Sequence, residues 1–194
     1  MRFSAFLIPL FLTALSCSNN EQSQKEEQKT STDTDQRLAK NYFIDCKKLF
    51  TDARQIDSIL LKQNEIDPKS AKQAIEAFTA FAYYCVSDTL SPVFLIKTAQ
   101  VAKSINNIPQ AKLVLDKCIA DYPSFNNRVA AIFLLAQLYD EPSYLNNENE
   151  AKKLYQQIID EYPESDWAQS AKGAINFIGK SDEEIMKEIL QKKK

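Results

Sequence analysis

Histidine is absent from this chain of 194 residues, and glycine occurs only twice, as Gly173 and Gly179. The first absence removes the side chain most used for proton transfer near neutral pH and for holding transition metals. The second leaves little of the punctuation that hairpins and tight strand connections need, and so favours helices. Strong charge of either sign is missing too. The formal net charge is -2, and without the first sixteen residues 23 basic side chains stand against 26 acidic ones. Basic residues are dispersed apart from Lys192, Lys193 and Lys194, so no footprint of a nucleic-acid-binding surface is present. No nucleophile with a base, no metal-ligand spacing and no phosphate-cradling glycine loop can be picked out. An enzyme is not expected, nor any cofactor; an envelope hydrolase using carboxylates is a remote alternative. The paired carboxylates Asp160-Glu161 and Asp182-Glu183-Glu184 are successive helix residues. They diverge by about 100° and read as solvated helix-end charge.

What is present begins with Arg2 and an apolar stretch from Phe3 to Leu15, broken only by Ser4, Pro9 and Thr13. That length suits a signal-peptide core and is short for a membrane span. It ends in Ala14-Leu15-Ser16-Cys17, which resembles the lipobox of bacterial lipoproteins, although Ala14 stands where that family usually carries leucine. The resemblance implies cleavage after residue 16 and acylation of Cys17, with the membrane as a partner through the lipid. By the sorting rule of proteobacterial lipoproteins, Ser18 rather than aspartate in the second mature position would imply the outer membrane, facing the periplasm. The alternative is an ordinary secretory signal with Cys17 as a bystander. Residues 18 to 36 contain no apolar side chain, so they cannot bury area to offset chain ordering and are expected to form a solvated linker. Nineteen flexible residues span about 24 Å, enough to hold a domain clear of headgroups.

Beyond Gln36 the apolar residues recur at helical spacing. Helices are predicted over 37–63, 68–85, 92–105, 109–121, 126–140, 147–161, 166–178 and 182–191. Asp67-Pro68 supplies a capping acceptor followed by proline at the first helical position. Ser181 and Glu184 have capping-box spacing. Asp121-Tyr122-Pro123 recurs as Glu161-Tyr162-Pro163, forty residues on. Twelve positions before each proline stands an alanine, Ala111 and Ala151, and four residues after each a bulky side chain, Leu115 and Tyr155; Ala74 and Phe78 repeat the spacing. Ala99, Ala102 and Ala136 mark small positions in the intervening helices. Antiparallel helices approach closely only where a side chain is reduced to a methyl group.

In these features, and in Tyr162-Pro163-Glu164-Ser165-Asp166-Trp167-Ala168-Gln169-Ser170-Ala171, the chain resembles bacterial tetratricopeptide-repeat (TPR) proteins of the Tyr-Pro-x-Ser-x-x-Ala subclass. Such proteins serve the outer-membrane assembly and Tol-Pal systems, and the run from Ile178 to Glu184 is similar to TPR lipoproteins of Bacteroidetes. The resemblance covers about 68–190. Val86 replaces the first Tyr-Pro proline, and Tyr144 to Asn147 lengthen one turn. It implies an all-α, tetratricopeptide-like solenoid of about three helix pairs plus capping helices.

The expected layout is a signal peptide over 1–16, acylated Cys17 and a disordered linker to residue 36, an N-terminal helix over 37–67, and the repeat domain over 68–194. The N-terminal helix does not fit the repeat. Tyr42, Cys46, Leu49, Ala53, Ile56 and Leu60 alternate four and three apart. That seam either caps the first repeat, the favoured reading because Phe43, Phe50 and Ile59 widen the stripe, or joins a homo-oligomer.

The resemblance implies a concave groove lined by the first helix of each pair. Mapped onto the motif, its exposed positions are Ile96, Gln100 and Lys103, then Phe133, Gln137 and Asp140. That mixture suits a protein or peptide partner in the cell envelope, and the two-lysine carboxylate clamp of chaperone-type TPRs is not visible. The alternative leaves Ile96 and Phe133 as core between repeats. Trp167 and the Tyr-Pro tyrosines read as turn-packing aromatics. Cys46, Cys85 and Cys118 remain once Cys17 is acylated; packed free thiols are the expected state, with one disulfide the alternative in an oxidising periplasm.

Overall fold

A computed structural model describes residues 44–192; Cys17, the leader, the linker and residues 37–43 of the first predicted helix lie outside them. Among the described residues there are eight helices and no strand: α1 Cys46–Leu60, α2 Pro68–Tyr84, α3 Ser91–Ser104, α4 Ile108–Asp121, α5 Arg128–Asp140, α6 Glu148–Glu161, α7 Asp166–Ile175 and α8 Asp182–Lys192. From α1 to α7 each helix packs against the next, and α5 also touches α7. The chain is a stack of helical hairpins, α1/α2, α3/α4 and α5/α6, closed by α7.

Short polar side chains fix where the helices begin. Asp67 accepts from the amides of Lys69 and Ser70, each at 3.0 Å, with Pro68 at the first position. Asn107 and Asn147 cap α4 and α6 by accepting from Gln110 and Glu150. The second helix of every hairpin is thus capped by an Asx residue, whose oxygen satisfies an orphan amide of the first turn. Asn106 and Asn146, directly before two of these caps, have φ of 57° and 47°. Asparagine tolerates that left-handed backbone better than other residues with a Cβ. Ser181 and Glu184 form the reciprocal box at α8. Helix α7 ends three residues earlier than the periodicity suggests, in a turn through Gly179 at φ 77°.

The small-then-bulky spacing is the core. Ala74, Ala111 and Ala151 are fully buried, each with its partner Phe78, Leu115 or Tyr155 one turn on. Phe94 of α3 packs on Phe50, Phe78 and Phe81, with ring centroids 5.2 to 6.3 Å apart. Helices α3 and α5 lie between neighbours and bury residues nearly all round, whereas α6 buries one face only. Ala53 and Ile56 of α1 are buried, with Leu49, Phe50 and Leu60 partly so, against the same core. The N-terminal helix therefore takes the first position of a hairpin within its own chain.

Packed free thiols are not what the structure shows for two cysteines. Cys46 and Cys85 form a disulfide, with Cα atoms 5.8 Å apart, and Cys118 alone among the described cysteines is free and buried. The pairing has a counterpart in each hairpin: the first residue of one helix meets the residue that follows the other. In the first hairpin the tie is covalent. In the second, Ser91 lies beside Tyr122, whose hydroxyl donates to the Val86 carbonyl at 3.1 Å. In the third, Arg128 donates to Tyr162 at 3.3 Å and to Glu161 at 2.7 Å, and its Nε to the Ile119 carbonyl at 3.2 Å. Cys85 occupies the place that Tyr122 and Tyr162 hold in the later repeats.

Candidate partner-binding cavity

Phe133, Gln137 and Asp140 fall four and three residues apart on α5, so they share one face of that helix. They line a cavity of about 640 Å³ together with Lys103 from the end of α3. The remaining wall comes from the long turn after α5 (Glu141, Pro142, Tyr144, Asn146), from Glu148 and Tyr155 of α6, and from Ala174, Phe177, Gly179, Lys180, Ser181 and Ile185 toward α8. The turn is shaped by two backbone bonds back onto α5: Leu145 N–H donates to the Leu138 carbonyl, and Asn147 N–H to that of Tyr139. Its size is typical of a ligand cavity.

Four of the six positions mapped from the motif thus converge. Gln100 is exposed but does not line this cavity. Ile96 is corrected: at 8% exposure it sits in the hydrophobic core between α3 and its neighbours and offers no surface to a partner. Phe133 does both jobs. It stacks on Tyr155 and Trp167 with centroids 5.4 and 5.2 Å away, and its half-exposed edge faces the cavity. Tyr144, Glu148, Phe177 and Lys180 were not identified from the sequence, because the motif maps only the first helix of each pair.

Charge in the cavity is uneven. Lys180 is held by Glu188 at 2.6 Å and lies 6.0 Å from the Phe177 ring centroid; the Lys103 ammonium lies 5.9 Å from that of Tyr144. Burial pushes the Asp140 carboxyl above the usual carboxylate range, and the neighbouring charges of Glu141 and Glu148 add to the effect. The Tyr155 hydroxyl and Lys152 act in the opposite direction. Tyr155 is itself pushed up, by burial first and by Asp140 second. Among the described residues no salt bridge is formed by Asp140 or Glu141. Glu148 lies against Gly179, where a Cβ would come within 2.9 Å of both carboxylate oxygens. Among the described residues no three His, Cys, Asp or Glu side chains gather as metal ligands, and no helix is long and apolar enough to cross a membrane.

Residues 130–165, which comprise most of α5, all of α6 and the turn into α7, match the family model of the tetratricopeptide repeat. No curated protein matches the chain. The chain contains a TPR repeat, and its fold is an all-helical, tetratricopeptide-like hairpin solenoid. A TPR domain supports binding of protein partners, and the all-helical fold is typically a non-catalytic interaction module.

Proposed function

We propose that this protein is a lipid-anchored adaptor of the bacterial cell envelope, tethered through Cys17 and receiving a protein or peptide partner at the cavity beside α5. The observation that carries the binding role is the convergence of Lys103, Phe133, Gln137 and Asp140 on one open cavity within a TPR-like stack. Rigid helices hold these side chains, so a partner meets a preformed surface and loses little free energy ordering it. The tether rests on Ala14-Leu15-Ser16-Cys17 and on a following stretch of nineteen residues without an apolar side chain. The Cys46–Cys85 disulfide supports export, because such bonds persist in oxidising compartments and are rare in a reducing cytosol. The same leader and Ser18 support a location at the outer membrane, facing the periplasm.

Self-association through the N-terminal helix loses its main support, since the seam that would pair two copies is occupied by α2. Membrane fractionation of the natural protein and of Cys17→Ala, with mass spectrometry of the N-terminal peptide, tests the anchor. The natural protein should sediment with membranes and carry acyl chains on Cys17, and the variant should become soluble. A natural protein found soluble with an unmodified N-terminus would overturn the tether. Chemical cross-linking in cells tests the adaptor: a Phe133→Ala/Gln137→Ala variant should lose partners that the natural protein captures, and an unchanged profile would remove the cavity from the proposal.

A further inference from the structure

The cavity's polarity narrows the partner's chemistry, and this step rests on the adaptor reading above. We infer that the cavity receives one cationic side chain, preferably arginine, from an extended segment of the partner protein. Three observations point the same way. Among the described residues no cation lies within ion-pair distance of Asp140 or Glu141, and Glu148 pairs with Lys152 at 3.4 Å. Of the two lysines of the lining, Lys180 is paired with Glu188 and Lys103 lies over the Tyr144 ring, which leaves the carboxylates in excess. Four aromatic side chains, Phe133, Tyr144, Tyr155 and Phe177, contribute to the wall beside them.

A carboxylate beside aromatic side chains suits a guanidinium. The planar fork donates two hydrogen bonds to a carboxylate while its face lies on a ring. Occupants of other chemistry fit worse. An anion would face three carboxylates against Lys103, since Lys180 is paired with Glu188. An uncharged apolar residue would cover Asp140 and leave its charge with the Tyr155 hydroxyl and no paired cation, which is unfavourable. For a metal ion no set of ligands is gathered among the described residues. At about 640 Å³ the cavity has room for the side chain and part of the backbone that delivers it.

Three acetylated and amidated nine-residue peptides test this, neutral and proline-rich except at the central position, which is arginine, citrulline or glutamate. Their fluorescence anisotropy would be followed with the full chain, with Asp140→Asn, and with Asp160→Asn as a control on the exposed side of α6. The arginine peptide should bind roughly tenfold or more tightly than the citrulline peptide, the scale of one charge-assisted hydrogen bond. Asp140→Asn should erase that preference while keeping the helical circular dichroism signal, and Asp160→Asn should retain it. Equal binding of arginine and citrulline, tighter binding of glutamate, no binding of the arginine peptide at millimolar concentration, or an arginine preference that survives Asp140→Asn would each overturn the inference. The adaptor reading fails separately. If the Phe133→Ala/Gln137→Ala variant loses captured partners in cells but no arginine preference exists, the adaptor stands and the cationic occupant does not.

Discussion

Breaking the Cys46–Cys85 bond should loosen one end of the molecule selectively. The two cysteines are 39 residues apart and enclose both helices of the first hairpin. Closing a loop of that length removes chain entropy from the unfolded state worth about 4 kcal/mol at 25 °C, a large share of the roughly 5 to 15 kcal/mol that holds a domain folded. Measured losses often fall below the chain-entropy value, so a Cys46→Ser/Cys85→Ser variant should lose about 2 to 4 kcal/mol in urea unfolding. In a stacked array each hairpin touches only its neighbours, so the loss should not be shared evenly. Hydrogen exchange should accelerate most at α1, whose other supports are its packing on α2 and the Phe50–Phe94 and Asp57–Lys97 contacts with α3, while the inner amides of α5 and α6 keep their protection. Thiol titration of the denatured, unreduced protein offers an independent reading, with Cys46 and Cys85 unreactive and Cys118 reactive. An unchanged urea midpoint in the variant, or reactive Cys46 and Cys85 in the unreduced protein, would refute the reasoning.

Ala111→Leu should destabilise by about 1 to 3 kcal/mol, because a fully buried methyl between packed helices has no room to grow; thermal unfolding checks it. Arg128→Lys should cost about 1 to 2 kcal/mol, since an ammonium cannot reproduce the fork that reaches Ile119, Glu161 and Tyr162 together. Burial pushes the Cys118 thiol up to about 12, so iodoacetamide at pH 8 should modify it only after unfolding. Asp140 holds its proton more tightly in the folded chain than in the unfolded one. Its ionisation therefore costs stability, a cost absent in acid that appears as pH rises through its unfolded and then its folded value. Asp140→Asn should stabilise the protein above that range and leave it unchanged below, while weakening a cationic ligand; urea unfolding at several pH values checks it.

Much of the hairpin stack is legible in the residues because its determinants are local. The Ala74/Phe78, Ala111/Leu115 and Ala151/Tyr155 pairs recur because each second helix meets the same neighbours, and Asp67-Pro68 marks its own cap. A further signal lay in the Asn106-Asn107 and Asn146-Asn147 doublets, forty residues apart, which supply a left-handed residue and then a cap at equivalent turns. The disulfide was less legible. Cysteine count alone leaves pairing open, and only aligning Cys85 with Tyr122 and Tyr162 shows that it stands where each hairpin is tied. Ile96 misled because motif position gives the side of a helix but not how deeply the neighbouring hairpin covers it. The far wall of the cavity, with Tyr144, Glu148 and Phe177, was beyond reach: it depends on how an unusually long turn folds back onto α5 and on the turn after α7.

A photo-crosslinking residue placed at Gln137, with a second protein carrying it at exposed Gln156 on α6, tests the central assignment most directly. Irradiation of cells producing each variant should yield a discrete protein adduct from position 137, none from position 156, and a weakened adduct when Asp140→Asn is combined with the first. Adducts of equal yield from both positions, or none at 137, would contradict a partner seated beside α5.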